Sequence, residues 1–309
     1  MPDRAGATAS DGRTGEGSGD VPPAGDDPFA WRDPDFIRRQ IGAVDRYLHY
    51  FSPVVRGLEN LPDTGPVLVV GNHSCLFWMP DVFVVARSIS ERRGLDIPSY
   101  ALGYDLLFRV PGLGTVLRRL GALPASDGVA RRALDSGALV LVYPGGDREA
   151  ARPWSERDRI DFGGRRGFIR LALRAGVPVV PVVAHGSHHA IFIASSGERL
   201  AHAVGLDRLR IKVLPVFLTP LGFTSVLRPP LPLPAAVTVQ FLPALDWCSY
   251  GSDAAMDDRV VDACYDEITG TMQGALDGLA AELPHPVLRG IGRLVAGRGL
   301  TFEEVPPAP

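Results

Sequence analysis

Apolar residues recur at helical and at strand spacings, in alternation, along most of the chain. Between residues 34 and 51 the apolar positions step by three and four, which predicts an amphipathic helix near the N-terminus. Continuous apolar runs farther on are typical of strands covered on both faces. The predicted strands are 67–70, 99–103, 138–143, 177–184 and 235–242, and the predicted helices are 81–90, 106–120 (interrupted at Pro111 and Gly112), 128–135, 164–174 and 256–283.

This order of elements predicts an α/β fold. Strands separated by helices favour a single domain with a mainly parallel, mixed sheet flanked by helices, to which the N-terminal amphipathic helix is added. Residues 1–27 are rich in Gly, Ser, Asp and Pro, which predicts a disordered tail. We assign residues 28–57 to the N-terminal helix region, 58–297 to the main domain and 298–309 to a C-terminal tail.

Composition gives information on binding partners and cellular compartment, but it indicates no particular function. A net charge of −3 gives no bias toward nucleic acid, and three cysteines at no metal-like spacing suit a reducing compartment. We expect no secretory signal, because no apolar run follows a basic start, and no stretch reaches the roughly 18 apolar residues of a spanning helix. The aliphatic segment 206–234 begins with Arg208, Arg210 and Lys212; it either lies shallowly in a bilayer or folds on the core.

The first candidate for chemistry follows the strand predicted at residues 67–70. That strand ends in Gly-Asn-His, and Asp81 follows His73 by eight positions. Ligands collect at the carboxyl edge of such sheets, where a histidine can accept a proton if a carboxylate fixes its tautomer. Asn72 and Ser74 flank the histidine and are predicted to contact substrate. The pattern alone also fits a loop histidine and a helix-capping aspartate.

The second candidate follows the longest predicted buried strand, in the motif VYPGGDREA. Gly145 and Gly146, after Pro144, allow a ligand close to the backbone, and Arg148 can donate hydrogen bonds to a phosphate or carbonyl oxygen. Glu149 adds a carboxylate. A tight turn with solvated charges is an alternative interpretation. Because both motifs follow strands of one predicted sheet, however, we predict a single shared site.

Four stretches, in this order, resemble the glycerolipid and lysophospholipid acyltransferase family, which includes 1-acylglycerol-3-phosphate acyltransferases. They are GNHSCLFWMPD, YDLLFRVPGLGTVLRRLGALPAS, VYPGGDRE and GVPVVPVVAHG, and the resemblance covers residues 58–185. It implies that His73 is the general base on an acceptor hydroxyl and that Asp81 orients it. The hydroxyl would attack the thioester of acyl-CoA or acyl carrier protein, with no cofactor. Members have α/β folds and work at membrane surfaces, so we expect a cytoplasmic enzyme, peripheral on the inner face of the membrane, with a lipid acceptor.

Three departures from the family pattern bear on the acceptor. The spacing from His73 to Asp81 is longer than is usual in the family. Gly145 stands where many members have glutamate, and Asp127 stands where many have arginine; those residues are associated with holding the acceptor's phosphate. The motif PGG followed by Glu149 is more similar to the neutral-lipid branch, which acylates diacylglycerol or fatty alcohols. Glycerolipid, lysophospholipid and neutral-lipid acceptors therefore stay open, as does a non-catalytic lipid-binding protein on the same fold.

The motif HGSHH, at residues 185–189, is the remaining candidate for a site. Adjacent histidines seldom share a metal without a carboxylate or cysteine nearby, and the sequence places none beside them. We therefore expect no metal ion here. The histidines either line a substrate channel or have no role in function.

Overall fold

The computed structural model describes residues 27–75, 77–205, 213–219, 222–225, 228 and 230–303. The strands within these residues are β1 (Val54–Arg56), β2 (Val67–Gly71), β3 (Ser99–Gly103), β4 (Ala122–Pro124), β5 (Leu139–Val142), β6 (Val179–His185), β7 (Ile193–Ser195), β8 (Val216–Thr219), β9 (Gly222–Ser225), β10 (Thr238–Phe241) and β11 (Thr301–Glu303). The α-helices are α1 (Pro34–His49), α2 (Pro80–Arg93), α3 (Leu113–Arg119), α4 (Asp127–Asp135), α5 (Gly146–Ala150), α6 (Gly167–Ala175), α7 (Glu198–Ala203), α8 (Asp258–Glu282) and α9 (Pro286–Val295).

A single eight-stranded sheet organises the molecule. Its strand order is β11-β1-β10-β6-β2-β5-β3-β4, and each described pairing is parallel except that of β10 with β6. The predicted α/β fold with a mainly parallel, mixed sheet is thus confirmed. Because β2 pairs with both β5 and β6, the carboxyl ends of these three strands meet at one edge.

Alternate residues of the central strands enter two hydrophobic cores, one on each face of the sheet. Leu68 and Val70 pack with the buried faces of α4, α6 and α8. Val67 and Val69 pack on the opposite face, which α1 and α2 cover. The strands are buried on both faces, which explains why they appear in the sequence as continuous apolar runs.

Local periodicity predicted the central elements better than the edges. The strand predicted at residues 99–103 matches β3, and the break predicted at Pro111 and Gly112 separates a 3₁₀ helix, Asp105–Arg109, from α3. Short strands such as β1 and the edge strand β4 carry too few residues to show a period and were missed. Residues 301–303, which the sequence analysis places in a C-terminal tail, form β11 and pair with β1.

A second, three-stranded sheet, β7-β8-β9, contains part of the segment predicted to lie in the bilayer or fold on the core. Arg208, Arg210 and Lys212 fall outside the described residues, as does the tail predicted to be disordered, apart from Asp27. Among the described residues, no helix combines the length and apolarity needed to cross a membrane.

Candidate active site

The loop between β2 and α2 brings His73 and Asp81 together. Cys75 and Met79 have φ angles of +62° and +43°, a left-handed conformation that turns the chain back on itself. His73 Nδ1 lies 3.0 Å from Asp81 Oδ2, and the same oxygen accepts the backbone N–H of Ser74 at 3.0 Å. The unusually long spacing between histidine and aspartate is therefore spanned by a folded loop. Asp81 is fully buried, whereas the His73 side chain is 12% exposed.

Asn72 fixes the end of β2 to the end of β6. Its side-chain nitrogen donates to the carbonyl of Ala184 at 3.0 Å, and its oxygen accepts the Ala184 N–H at 2.7 Å. Since both ends of the amide bind backbone, this buried residue stabilises the strand edge from which His73 projects.

Tyr143 lies beneath the histidine, with ring centroids 5.1 Å apart. A Cβ on Gly71 would come within 2.5 Å of the tyrosine ring, so only glycine at this position allows the ring to pack there. Burial, and secondarily the charge of Asp81, raises the pKa of Tyr143 well above its usual range. The phenol is therefore protonated at neutral pH.

Glu149 links the second motif to the first. Its Oε2 accepts the backbone N–H of His73 at 2.9 Å, and its Oε1 accepts the N–H of Asp161 at 3.3 Å and contacts Arg152 Nη1 at 3.1 Å. Burial raises the pKa of Glu149, while Arg152 and the two backbone N–H groups oppose that rise. The carboxylate is thus an internal brace behind His73, with no exposed side-chain surface.

The glycine turn at the start of α5 accommodates this brace. A Cβ on Gly145 would lie 2.4 Å from Glu149 Oε2, so a side chain at position 145 is incompatible with the observed place of Glu149. Arg165 Nη1 donates to the carbonyls of Pro144 and Gly145 at 2.7 and 2.8 Å. Gly146 has a φ of +52°.

Arg148 differs from its neighbour Glu149 in facing outward. Its side chain is 55% exposed, and its Nε lies 3.7 Å from Asp161 Oδ2. The guanidinium is therefore available to a ligand at the rim of the site.

Arg152 is a site residue that the sequence analysis missed. Besides Glu149, its guanidinium contacts the carbonyl of Arg159 at 2.6 Å and Ser74 Oγ at 3.4 Å. The backbone carbonyl of Arg152 accepts a hydrogen bond from His188 Nε2 at 2.8 Å. Burial of His188, and secondarily the charge of Arg152, lowers the pKa of His188 to about 3. The spacing of three positions between Glu149 and Arg152 was the available signal, because residues at this spacing can approach each other where the chain coils.

An apolar pocket of about 310 Å³ lies between α1 and the loop that joins His73 to Asp81. Phe77 and Trp78 of that loop form one wall, and Tyr47 Oη donates a short hydrogen bond to the carbonyl of Trp78. Its volume falls at the lower end of the range of about 300–1,000 Å³ that is usual for ligand pockets. Its lining residues are Ala43, Val44, Tyr47, Phe77, Trp78 and Phe83.

All nine predicted site residues thus lie at one edge of the sheet, although they differ in accessibility. His73 and Arg148 reach the surface, whereas Asn72, Ser74, Asp81 and Glu149 are buried and bind protein groups. Contacts with a substrate stay predictions for all of them.

Comparison with known proteins identifies a protein family and several proteins to which this chain is similar. A family model described as Acyltransferase matches residues 52–185. An uncharacterized protein of Mycobacterium tuberculosis is 28% identical over 251 residues, which cover 81% of this chain and 68% of that protein. Phytyl ester synthase 1, chloroplastic, of Arabidopsis thaliana is 31% identical over 150 residues, 47% of this chain and 21% of the synthase. The human protein named DGAT1/2-independent enzyme synthesizing storage lipids is 28% identical over 189 residues, 61% of this chain and 56% of that enzyme.

A solved structure is also similar in outline. The 1-acyl-sn-glycerophosphate (LPA) acyltransferase PlsC of Thermotoga maritima aligns with a TM-score of 0.47 and 19% identity, over 80% of this chain and 78% of that one.

Proposed function

We propose that this chain transfers a fatty acyl group from the thioester of acyl-CoA or acyl carrier protein to the hydroxyl of a lipid. The match of residues 52–185 to the family model described as Acyltransferase supports this proposal. The observation that carries the proposal is the 3.0 Å contact between His73 Nδ1 and Asp81 Oδ2 at the carboxyl edge of the sheet. A buried carboxylate accepts hydrogen bonds, so it favours the tautomer with the proton on Nδ1. The lone pair of Nε2 is then free to accept a proton from substrate.

The reaction follows from that tautomer. His73 Nε2 takes the proton of the acceptor hydroxyl as its oxygen forms a bond to the thioester carbonyl carbon. When the tetrahedral intermediate collapses, the carbon–sulfur bond breaks, and the sulfur leaves with the proton that the imidazolium returns. The products are an ester and a free thiol. Asp81 stabilises the transient imidazolium, and Glu149 holds the His73 backbone in place.

A neutral lipid is the acceptor that we propose among those left open. Glu149 occupies the space that a side chain at position 145 would need, and it is paired internally with Arg152. Asp127 carries negative charge and pairs with Arg174 at 2.6 Å, so it does not favour a phosphate. The names of two relatives refer to a phytyl ester and to storage lipids. These observations support diacylglycerol or a long-chain alcohol over lysophosphatidate.

The test is an acceptor panel with labelled acyl-CoA, in which free thiol and lipid ester are measured together. Diacylglycerol, a fatty alcohol and lysophosphatidate form the panel, and acyl carrier protein replaces CoA in a parallel series. We expect acceptor-dependent thiol release, which His73→Ala should reduce by about 10²–10⁴-fold. Exposed His285→Ala is the control and should keep full activity.

The results separate the alternatives. Unchanged turnover by a folded His73→Ala chain rejects the general-base assignment. Faster turnover with lysophosphatidate than with the neutral acceptors rejects the proposed acceptor class. Tight lipid binding without thiol release from any acceptor favours the non-catalytic lipid-binding protein.

We place the acyl chain in the apolar pocket beside the catalytic loop. Val44 lines this pocket from α1, whereas Arg46 does not line it and is exposed. A Val44→Trp side chain would fill part of the volume, so we expect a larger loss of kcat/KM with long-chain than with short-chain acyl-CoA. Arg46→Trp, the control on the same helix, should change both equally. An equal loss with both chain lengths for Val44→Trp would remove the pocket from the proposal.

We further propose that the enzyme works on the inner face of the membrane as a peripheral protein. Phe223 and Leu231, in the segment that the sequence analysis singled out, are 73% and 84% exposed, so both side chains can enter a bilayer surface. Replacing both with serine should weaken co-sedimentation with anionic phospholipid vesicles. Leu288→Ser, on α9, is the matched control. Equal sedimentation of the doubly substituted and native chains would contradict the placement.

A further inference from the structure

Two histidines of the HGSHH motif meet a carboxylate that is distant in sequence. His185 ends β6, and His189 belongs to a 3₁₀ helix, Ser187–Ala190. Asp158 comes from the segment between α5 and α6. One ligand atom from each residue lies within 4.8 Å of the other two. The support that was missing beside the histidines in the sequence is therefore supplied by the fold.

The hydrogen bonds of His185 leave one of its nitrogens facing the carboxylate. Its Nε2 lies 3.1 Å from the carbonyl of Leu283, which can only accept, so Nε2 carries a proton. Its Nδ1 lies 3.4 Å from Asp158 Oδ1. In the neutral imidazole, Nδ1 and the carboxylate are both acceptors. Their approach is favourable only with a cation between them, either a proton or a metal ion.

His189 supplies a second nitrogen without a described partner. Its Nε2 is buried and makes no hydrogen bond to any residue that the structure describes, which is costly for a polar atom. The ring is held edge-on against Trp154, with centroids 4.8 Å apart. A buried imidazole nitrogen with no described partner is available to bind a cation.

We propose that Asp158, His185 and His189 bind one zinc ion. Two imidazoles and a carboxylate suit zinc, whereas Mg²⁺ and Ca²⁺ prefer oxygen ligands alone. The bond from His185 Nε2 to the Leu283 carbonyl is the outer contact that usually orients a metal-bound histidine. Arg157 approaches the other oxygen of Asp158, Oδ2, at 3.3 Å, which leaves Oδ1 for the ion. The Asp158 side chain is 28% exposed, so the ion has a path from solvent.

The geometry requires a small closure of the side chains. Two ligand atoms bound about 2.0–2.1 Å from a tetrahedral zinc ion lie roughly 3.4 Å apart. The separation of up to 4.8 Å observed here would thus shorten by up to about 1.4 Å. Rotation of the partly exposed Asp158 side chain is the simplest means, because both histidines are buried.

The proposed ion would anchor the segment that supports the catalytic residues. The carbonyl of Arg159, next to Asp158, accepts from Arg152, and the N–H of Asp161 donates to Glu149. Glu149 in turn holds the backbone of His73. The ion would therefore stabilise this region from behind, and no step of acyl transfer passes through it.

Metal content of the full-length chain, with any affinity tag removed, tests the site directly. After dialysis against Zn²⁺ and then metal-free buffer, we expect about one zinc per chain by mass spectrometry. Asp158→Asn and His189→Phe should each weaken zinc binding at least about 100-fold in competition with a chromophoric chelator, since even the loss of an outer-shell partner costs about 10–100-fold. Asparagine can donate to His185 Nδ1, and phenylalanine keeps the ring contact with Trp154, so both variants should fold.

Matched controls separate this site from other zinc ligands. Cys248 is the exposed free cysteine, and His285 is exposed outside the cluster, so Cys248→Ser and His285→Ala should bind zinc as the native chain does. Zinc should raise the melting temperature of the native chain and leave that of Asp158→Asn unchanged. No retained zinc in the folded native chain, or undiminished binding by His189→Phe, would overturn the proposal and leave only the contact between Asp158 and His185. Because the readout is metal content, this result is independent of whether acyl transfer is observed.

Discussion

At the scale of single residues, buried polar groups account for much of the organisation of the site. Glu149 binds the backbone of His73, the backbone of Asp161 and the guanidinium of Arg152, so one carboxylate joins three segments of the chain. Gly145 has the complementary property, because the absence of a side chain leaves room for that carboxylate. Glu149 can therefore occupy its observed position only because residue 145 is glycine.

Glu149→Gln tests this brace. Removing the charge leaves Arg152 buried without its ionic partner, and loss of one member of a buried pair typically costs about 3–5 kcal/mol. We expect a fall of that size in the free energy of unfolding, measured by urea denaturation. Glu156→Gln changes an exposed glutamate of the same segment and should stay within about 0.5 kcal/mol of the native value. Equal stability of the two variants would show that Glu149 is no brace.

At the scale of elements, close backbone contact decides how α9 packs. This helix was missed in the sequence analysis, and its residue Gly290 lies against the chain that leads into β10. The N–H of Ala236 donates to the carbonyl of Pro286 at 2.8 Å, which joins the start of α9 to the same chain. The approach is possible because Gly290 presents only backbone.

Two glycines on opposite sides of α9 provide a matched test. A Cβ on Gly290 would come within 1.7 Å of the Pro234 carbonyl oxygen, whereas a Cβ on Gly292 would meet nothing within 4 Å. We expect Gly290→Ala to lower the free energy of unfolding by about 1–3 kcal/mol through overpacking. Gly292→Ala should raise it by up to about 1 kcal/mol, because alanine favours a helix. The same sign for both substitutions in urea denaturation would contradict this packing.

At the scale of the whole molecule, the sheet separates two cores and carries the site on one edge. Cys264, a residue of α8, lies in one core, and Cys75, in the loop between β2 and α2, lies in the opposite core. Cys248 is exposed. The three thiols therefore report separately on the two faces of the sheet and on the surface.

Thiol labelling at pH 8 should distinguish them. Burial raises the pKa of Cys75 to about 12 and that of Cys264 to about 11, and only the thiolate reacts. We expect one labelled thiol per native chain, Cys248, and all three in denaturant, counted by mass spectrometry. Native Cys248→Ser should take up no label. Labelling of Cys75 as fast as that of Cys248 would mean that the loop carrying His73 opens readily.

The sequence by itself determined where the central strands and helices lie along the chain, because the spacing of apolar residues is a local property. It also placed His73 and the glycine turn at one edge, since the carboxyl ends of parallel strands converge there. Only the tertiary structure decided that β10 runs antiparallel beside β6, that Arg152 pairs with Glu149 behind the histidine, and that Asp158 meets two histidines. The strand pairing and the approach of Asp158 to the histidines join residues far apart in the chain. Arg152 and Glu149 are close in sequence, but their burial together depends on the packing of other segments around them.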